Sequence, residues 1–234
     1  MRFALSTLAL AAAATVGSAA SAAHIDFISD GGFAPVAASS EFGPVTASQG
    51  GDAGNILGGQ RDIILTPDAV NEGIITAGTI GAVPNDGPVT DENNPGRLLF
   101  DTSTGTFGTL EIIYDGVGTA GLGGLDFSAW VGIAIDLTDL DGMGDLSIRL
   151  NDINGQNATV TQSAAAIGTY TFLFADYGSV DITQIDAISV KINSTELASD
   201  FEIASIVRVV PEPATAALAA LGLGAATLRR RRNA

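Results

Sequence analysis

Short apolar runs recur along this chain, and several alternate strictly with polar residues. Leu146, Ile148 and Leu150 fall on one side of an extended backbone, with Ser147 and Arg149 on the other. Ile188, Val190 and Ile192 alternate in the same way with Ser189 and Lys191. A period of two marks a strand with one face in a core and one in solvent. On this basis strands are predicted over 62–66, 97–100, 109–114, 131–137, 146–150, 158–161, 169–174, 187–192 and 201–209. Clusters of Gly, Asp, Asn and Pro separate them, and Asn154-Gly155 is a predicted hairpin turn. No stretch of the body carries a long apolar stripe of helical period. Many short strands with turn signals between them predict an all-β fold, an antiparallel sandwich or barrel. Residues 67–96 read differently. Pro67, Pro84, Pro88 and Pro95, with the polar run Thr90-Asp91-Glu92-Asn93-Asn94, predict a long excursion.

The two ends of the chain break this pattern. Arg2 precedes an apolar stretch from Phe3 to Val16, and small residues follow from Gly17 to Ala23. This order is that of a secretory signal peptide, residues 1–23. Cleavage after Ala22 places Ala20 and Ala22 at the small-residue positions; cleavage after Ala23 uses Ser21 and Ala23. At the other end, Val210-Pro211-Glu212-Pro213 is followed by an apolar run from Ala214 to Leu228 and then by Arg229, Arg230, Arg231 and Arg232. The paired prolines end any preceding strand. As a helix the run would rise about 22 Å, a marginal span of a hydrocarbon core about 30 Å thick. The arginines hold its end in the cytoplasm. The division is therefore 1–23 signal peptide, 24–209 body and 210–234 tail, with the body exported across the inner membrane.

Charge sharpens the picture. Between residues 24 and 209 stand 25 acids and 5 bases, so the body carries about −20. A nucleic-acid partner needs a basic footprint, and this body has the opposite. The chain has no cysteine, which removes disulfide frameworks, thiol catalysis and Cys-ligated metals. Its single histidine, His24, follows the predicted cleavage site and would stand at a new chain terminus, a poor position for a catalytic base. Acidic pairs are too abundant to single out a glycosidase-like couple.

The densest local chemistry is Asp136-Leu137-Thr138-Asp139-Leu140-Asp141-Gly142-Met143-Gly144-Asp145. Asp139, Asp141 and Asp145, closely spaced around glycines, suit the hard oxygen ligation of calcium. The spacing lacks the closing glutamate of an EF-hand loop, and the stretch equally reads as an acidic, glycine-rich connector between strands. The aromatic residues that could stack on a sugar ring are Trp130, Tyr114, Tyr170 and Tyr177. Trp130 and Tyr170 read as core.

The tail resembles the PEP-CTERM sorting signal: Pro211, Glu212 and Pro213, then the apolar segment, then the arginine cluster, in order. This resemblance implies recognition by an exosortase, an integral-membrane transpeptidase-like enzyme, transient membrane anchoring, and release to the cell surface or extracellular matrix. The body is similar to carbohydrate-binding-module-like jelly rolls through Gly58-Gly59-Gln60-Arg61-Asp62-Ile63, Leu110-Glu111-Ile112-Ile113-Tyr114-Asp115-Gly116, Leu150-Asn151-Asp152-Ile153-Asn154-Gly155 and Asp200-Phe201-Glu202-Ile203. That resemblance implies an antiparallel, jelly-roll-like β-sandwich. It also offers a structural calcium near the chain ends, with Asp26 and Asp200 as the matching residues. The leading expectation is a non-enzymatic, acidic surface or matrix protein. A carbohydrate-binding module of the exopolysaccharide layer is the alternative, and an unrecognised hydrolase is a third.

Overall fold

The structure, a computed structural model, describes residues 24–26, 28, 36–39, 41, 43–51, 56–69, 73–80 and 96–211. The signal segment with Ala22 and Ala23, and the tail from Glu212 and Pro213 through Arg229–Arg232, lie outside the described residues. The described strands are β1 (His24–Asp26), β2 (Val36–Ser39), β3 (Val45–Gly50), β4 (Gln60–Ala69), β5 (Ile74–Ile80), β6 (Arg97–Thr102), β7 (Thr106–Tyr114), β8 (Gly132–Asp141), β9 (Gly144–Asp152), β10 (Asn157–Ala164), β11 (Gly168–Leu173), β12 (Ile185–Ser194) and β13 (Asp200–Val209).

They form two sheets with every strand pair antiparallel. A seven-stranded sheet runs β11-β8-β13-β6-β5-β2, with β1 also on β13, and a six-stranded sheet runs β10-β9-β12-β7-β4-β3. The chain repeatedly crosses from one sheet to the other, giving an antiparallel, jelly-roll-like β-sandwich. The alternation seen in the sequence decides which faces meet. Leu146, Ile148, Leu150, Ile188, Val190 and Ile192 are buried between the sheets, and their alternating partners form the outer face. At the seven-stranded sheet Phe100 packs on Phe201 with ring centroids 5.9 Å apart.

All nine predicted strands are present. The Asn154-Gly155 turn joins β9 to β10, with Gly155 at φ +79°. Asp152 accepts hydrogen bonds at Oδ1 from the N–H groups of Asn154 and Gln156, both at 2.9 Å. The Asp181 N–H, donating to Oδ2 at 3.0 Å, is the main cause that holds its carboxyl below the ordinary range, and the Gln156 and Asn154 donors add to it.

Two expectations change. The excursion predicted from residue 67 begins as a strand, because β4 continues to Ala69 and β5 occupies Ile74–Ile80. Pro67 is tolerated because it pairs with β7 at Gly108 while β3 reaches only to Leu65 on the other side. Among the described strands, none on that side pairs with its missing N–H. The acidic stretch from Asp136 is likewise less of a connector than its composition suggests. Residues through Asp141 belong to β8, and only Gly142 and Met143 separate β8 from β9.

One polar constellation is sealed in the core. Arg61, from β4, points inward and is 2% exposed; Asp26, from β1, is 1% exposed. Arg61 Nη1 donates to Asp26 Oδ1, and its Nε donates to Gln49 Oε1 at 3.0 Å. The Tyr114 hydroxyl, from β7, donates to Asp26 Oδ2 at 2.7 Å. Burial first, and then the Asp26 charge, keeps the Tyr114 phenol protonated far above its ordinary range. Asp26 belongs to the seven-stranded sheet and its partners to the six-stranded one, so the contact ties the layers together. Removing one partner of a buried ion pair strands the other charge, at a cost of about 3–5 kcal/mol. Urea denaturation of the signal-cleaved chain should therefore show Asp26→Ala destabilised by about that amount, and Tyr114→Phe by about 1–3 kcal/mol.

Candidate functional site

The two outer faces of the sandwich differ in chemistry. On the seven-stranded sheet, β6, β13 and β8 lie side by side. Their register sets Asp101 opposite Asp200, and Asp200 opposite Asp141. One rung further, Leu99, Glu202 and Asp139 are neighbours. A β-bulge at Thr138 keeps Asp139 and Asp141 pointing outward after the inward run of Ile133, Ile135 and Leu137. The result is a shallow hollow of about 190 Å³ lined by Leu99, Asp101, Asp139, Asp200 and Glu202.

Neighbouring strands stand about 4.8 Å apart, so these carboxylates repel at close range. Glu202 is relieved by Arg97 Nη1, which donates to its Oε1, and by the Thr138 hydroxyl at 2.8 Å. Among the described residues no cation is paired with Asp200. Partial burial, then a hydrogen bond with Asp101, and then the charges of Asp101, Asp141 and Asp139 push its carboxyl up to about 6.

The six-stranded sheet presents a groove of about 340 Å³ lined by Glu111, Ser147, Arg149, Thr159, Ser189 and Lys191. Two adjacent rungs build it across β10, β9, β12 and β7. Thr159, Arg149 and Ser189 make one rung, and Ser147, Lys191 and Glu111 the next. The Ser189 hydroxyl donates to Glu111 Oε1, and Arg149 Nε donates to Asn151 Oδ1 at 3.1 Å. Of the body's five bases, Arg61 is in the core, Arg97 serves Glu202, and Arg208 lies over the Trp130 ring at 5.4 Å. The remaining two, Arg149 and Lys191, are both in this groove.

The predicted residues are distributed as follows. Asp139 and Asp141 join Asp200 on the outer face of the seven-stranded sheet. Asp145 is on β9 in the other sheet, where it accepts the Ser163 hydroxyl at 2.8 Å. The structure thus separates Asp145 from Asp139 and Asp141 and adds Asp101 and Asp200 to them. Asp26 is engaged inside the core with Arg61 and Tyr114 and does not approach Asp200. Among the described residues, no three acid or histidine side chains converge closely enough to hold a metal ion. Pro211 is exposed two residues beyond β13.

Tyr114 and Tyr177 lie in the core, whereas Trp130 and Tyr170, expected there, pack half-buried against its edge. Trp130 stacks on Phe127 at 4.0 Å, and the Tyr170 hydroxyl donates to the Ala166 carbonyl at 2.6 Å. Among the described residues, Phe107, half-buried on β7, is the one ring on the outer face of the six-stranded sheet. Sequence alternation had already placed Arg149, Ser147, Ser189 and Lys191 outward; what it lacked was the register that makes them neighbours.

Residues 209–232 match the family described as the PEP-CTERM protein-sorting motif. The chain therefore carries a sorting signal that implies export, membrane-anchored sorting and exosortase processing. No curated protein matches the chain in sequence. Several solved structures are similar. The enzymatically active domain of bacteriophage CBA120 tailspike protein 4 is 13% identical, over 64% of this chain and 19% of that one, with a TM-score of 0.40. The family 11 carbohydrate-binding module of a cellulosomal cellulase of Clostridium thermocellum is 13% identical over 72% and 88%, with a TM-score of 0.37. The module TmCBM61, in complex with β-1,4-galactotriose, is 10% identical over 64% and 88%, with a TM-score of 0.38.

The acidic row has a measurable consequence. The folded-state pKa of Asp200, about 6, exceeds the unfolded value of about 4. The folded state therefore holds this proton more tightly. The stability it contributes is fully present below about pH 4 and is lost as pH rises through about 6. Asp200→Asn should raise the Tm at pH 7.5 by only about 1–2 °C, since the site is open to solvent and screened by salt. Calorimetry across pH should show the gain vanish below about pH 4.

Proposed function

We propose that this is an exosortase-sorted protein of the cell surface or extracellular matrix, whose β-sandwich body is a non-catalytic binding and structural module. The observation that carries the reading is the pairing of a terminal sorting motif with an acidic sandwich. The most perturbed exposed carboxyl of that sandwich, Asp200, is explained by crowding on adjacent strands. A hydrolytic pair needs two carboxyls held apart across the substrate, in environments that separate their roles. Here Asp101 and Asp200 share a hydrogen bond in a shallow hollow, the arrangement of neighbours relieving repulsion.

A second reading is favoured by the groove on the six-stranded sheet, which suits a hydroxyl-rich polysaccharide of the exopolysaccharide layer. A sugar hydroxyl both donates and accepts. The groove supplies donors in Arg149 and Lys191, an acceptor in Glu111, and hydroxyls that do either in Ser147, Thr159 and Ser189. A body near −20 repels polyanions at long range, so a neutral glycan fits better than a polyuronate. With one half-buried ring on the face, stacking contributes little. Single-site affinity is then weak, and many copies on one polymer would supply avidity.

Two experiments test these readings. In the producing cell, Pro211→Ala with Glu212→Ala should leave an unprocessed, membrane-associated precursor on immunoblots; normal processing of that variant would remove the exosortase reading. On a glycan array, the signal-cleaved chain should retain neutral polysaccharides, and Arg149→Ala or Glu111→Ala should each weaken retention about five- to tenfold. Retention unchanged by both substitutions would exclude the groove.

A further inference from the structure

The fold brings both ends of the body to one pole. β13 runs toward the tail, and β1 runs antiparallel beside it with His24 opposite Val207. The chain preceding His24 therefore enters at the pole where β13 leaves. Before processing, the apolar segment of residues 3–16 and the apolar segment of residues 214–228 both attach there.

That pole carries an exposed apolar surface. Leu173, Gly132 and Val209 are successive neighbours across β11, β8 and β13. The Val131 N–H donates to the Val209 carbonyl at 2.8 Å, and the Phe174 N–H to the Val131 carbonyl at 2.9 Å. The strands meet so closely that a Cβ on Gly132 would lie 2.3 Å from the Phe172 carbonyl oxygen. On this frame Val131 is 38% exposed, and Leu173 and Val210 are each 45% exposed. Half-buried Trp130 lies beside them, with the Arg208 guanidinium 5.4 Å from its ring centre.

What covers this surface follows from chain length. Only Pro211, Glu212 and Pro213 separate Val210 from the apolar run that starts at Ala214. Four peptide steps reach at most about 14 Å. An inserted tail therefore holds the pole at the headgroup layer. Trp and Arg are side chains that suit this layer, each combining an apolar body with a polar end. Asp126 and Asp176 stand in the adjoining segments, which favours a zwitterionic over a strongly anionic surface.

We propose that the tail-exit pole, formed by Trp130, Val131, Leu173, Arg208 and Val210, is a membrane-facing surface that lies in the outer interface of the bilayer while the tail is inserted. It rests on the sorting reading for insertion of the tail and adds to it a defined orientation of the body. Such seating would present the Pro211–Pro213 segment at the membrane surface, in a fixed place for the processing enzyme.

Trp130 is the only tryptophan of the chain, so its emission reports on this pole. The signal-cleaved chain, residues 24–234, in which the tail is the one long apolar segment outside the body, is reconstituted with phosphatidylcholine vesicles whose acyl chains carry bromine near the headgroup end. Flotation with the vesicles reads tail insertion independently. Trp130 emission should fall by roughly half relative to unbrominated vesicles, as for an interfacial tryptophan. The variant Val131→Ser with Leu173→Ser should float equally but recover most of the emission. Unquenched Trp130 in a floating chain overturns the proposal. So does equal quenching in the double variant, which would mean that the tether alone brings the pole near. A chain that does not float overturns tail insertion, and with it both the sorting reading and this surface. If the double variant melts below the parent, Val210→Ser, beyond the last strand, makes the same comparison.

Discussion

The two sheets of this sandwich are joined by more than apolar contact. Asp26, Arg61 and Tyr114 place a charged group from each layer in the core, with the phenol as a third member. The desolvation of such a pair is offset only when the remaining polar atoms are also bonded. Here Tyr114 takes the second Asp26 oxygen, and Gln49 accepts from Arg61. β1 is three residues long and would hold weakly to β13 by its ladder alone. The buried Asp26 gives it a fixed place.

With the core closed, charge is sorted onto the outer faces. One face collects Asp101, Asp200, Asp141, Asp139 and Glu202 from three adjacent strands, with Arg97 as the cation that engages Glu202. The other holds Arg149 and Lys191 among hydroxyls and Glu111. An acidic chain with five body bases thus spends one on the core, one on an acid, one on a tryptophan ring and two on a single groove. The concentration of two cations in one place makes that groove the chemically distinct part of an otherwise repelling surface.

The third constraint is topological. Antiparallel pairing of the first and last strands sends both termini out at one end. On the reading of residues 1–23 as a signal peptide and 210–234 as a sorting tail, both segments would meet one membrane. A fold with its termini at opposite ends would stretch across its own width to satisfy both. The position of β1 beside β13 removes that conflict, and in the proposed seating the grooved and acidic faces would be directed sideways from the bilayer.

The sequence by itself determined the sorting motif at the C-terminal end, the all-β class, nine of the strands and the outward direction of Ser147, Arg149, Ser189 and Lys191. These follow from local regularities: a period of two, a turn pair such as Asn154-Gly155, an ordered string of motif, apolar run and arginines. It did not reveal β1, β2 and β3, or β5, whose small residues and glycine blur the alternation, or the passage of β4 through Pro67, which depends on where β3 stops. Nor could it show that Asp145 parts from Asp139 and Asp141, that Asp101 and Asp200 join them, or that Asp26 is buried. Those outcomes belong to the tertiary structure, because strand order and register are set between residues far apart in the chain. The side-chain period is two, so a shift of one residue in that register reverses every face.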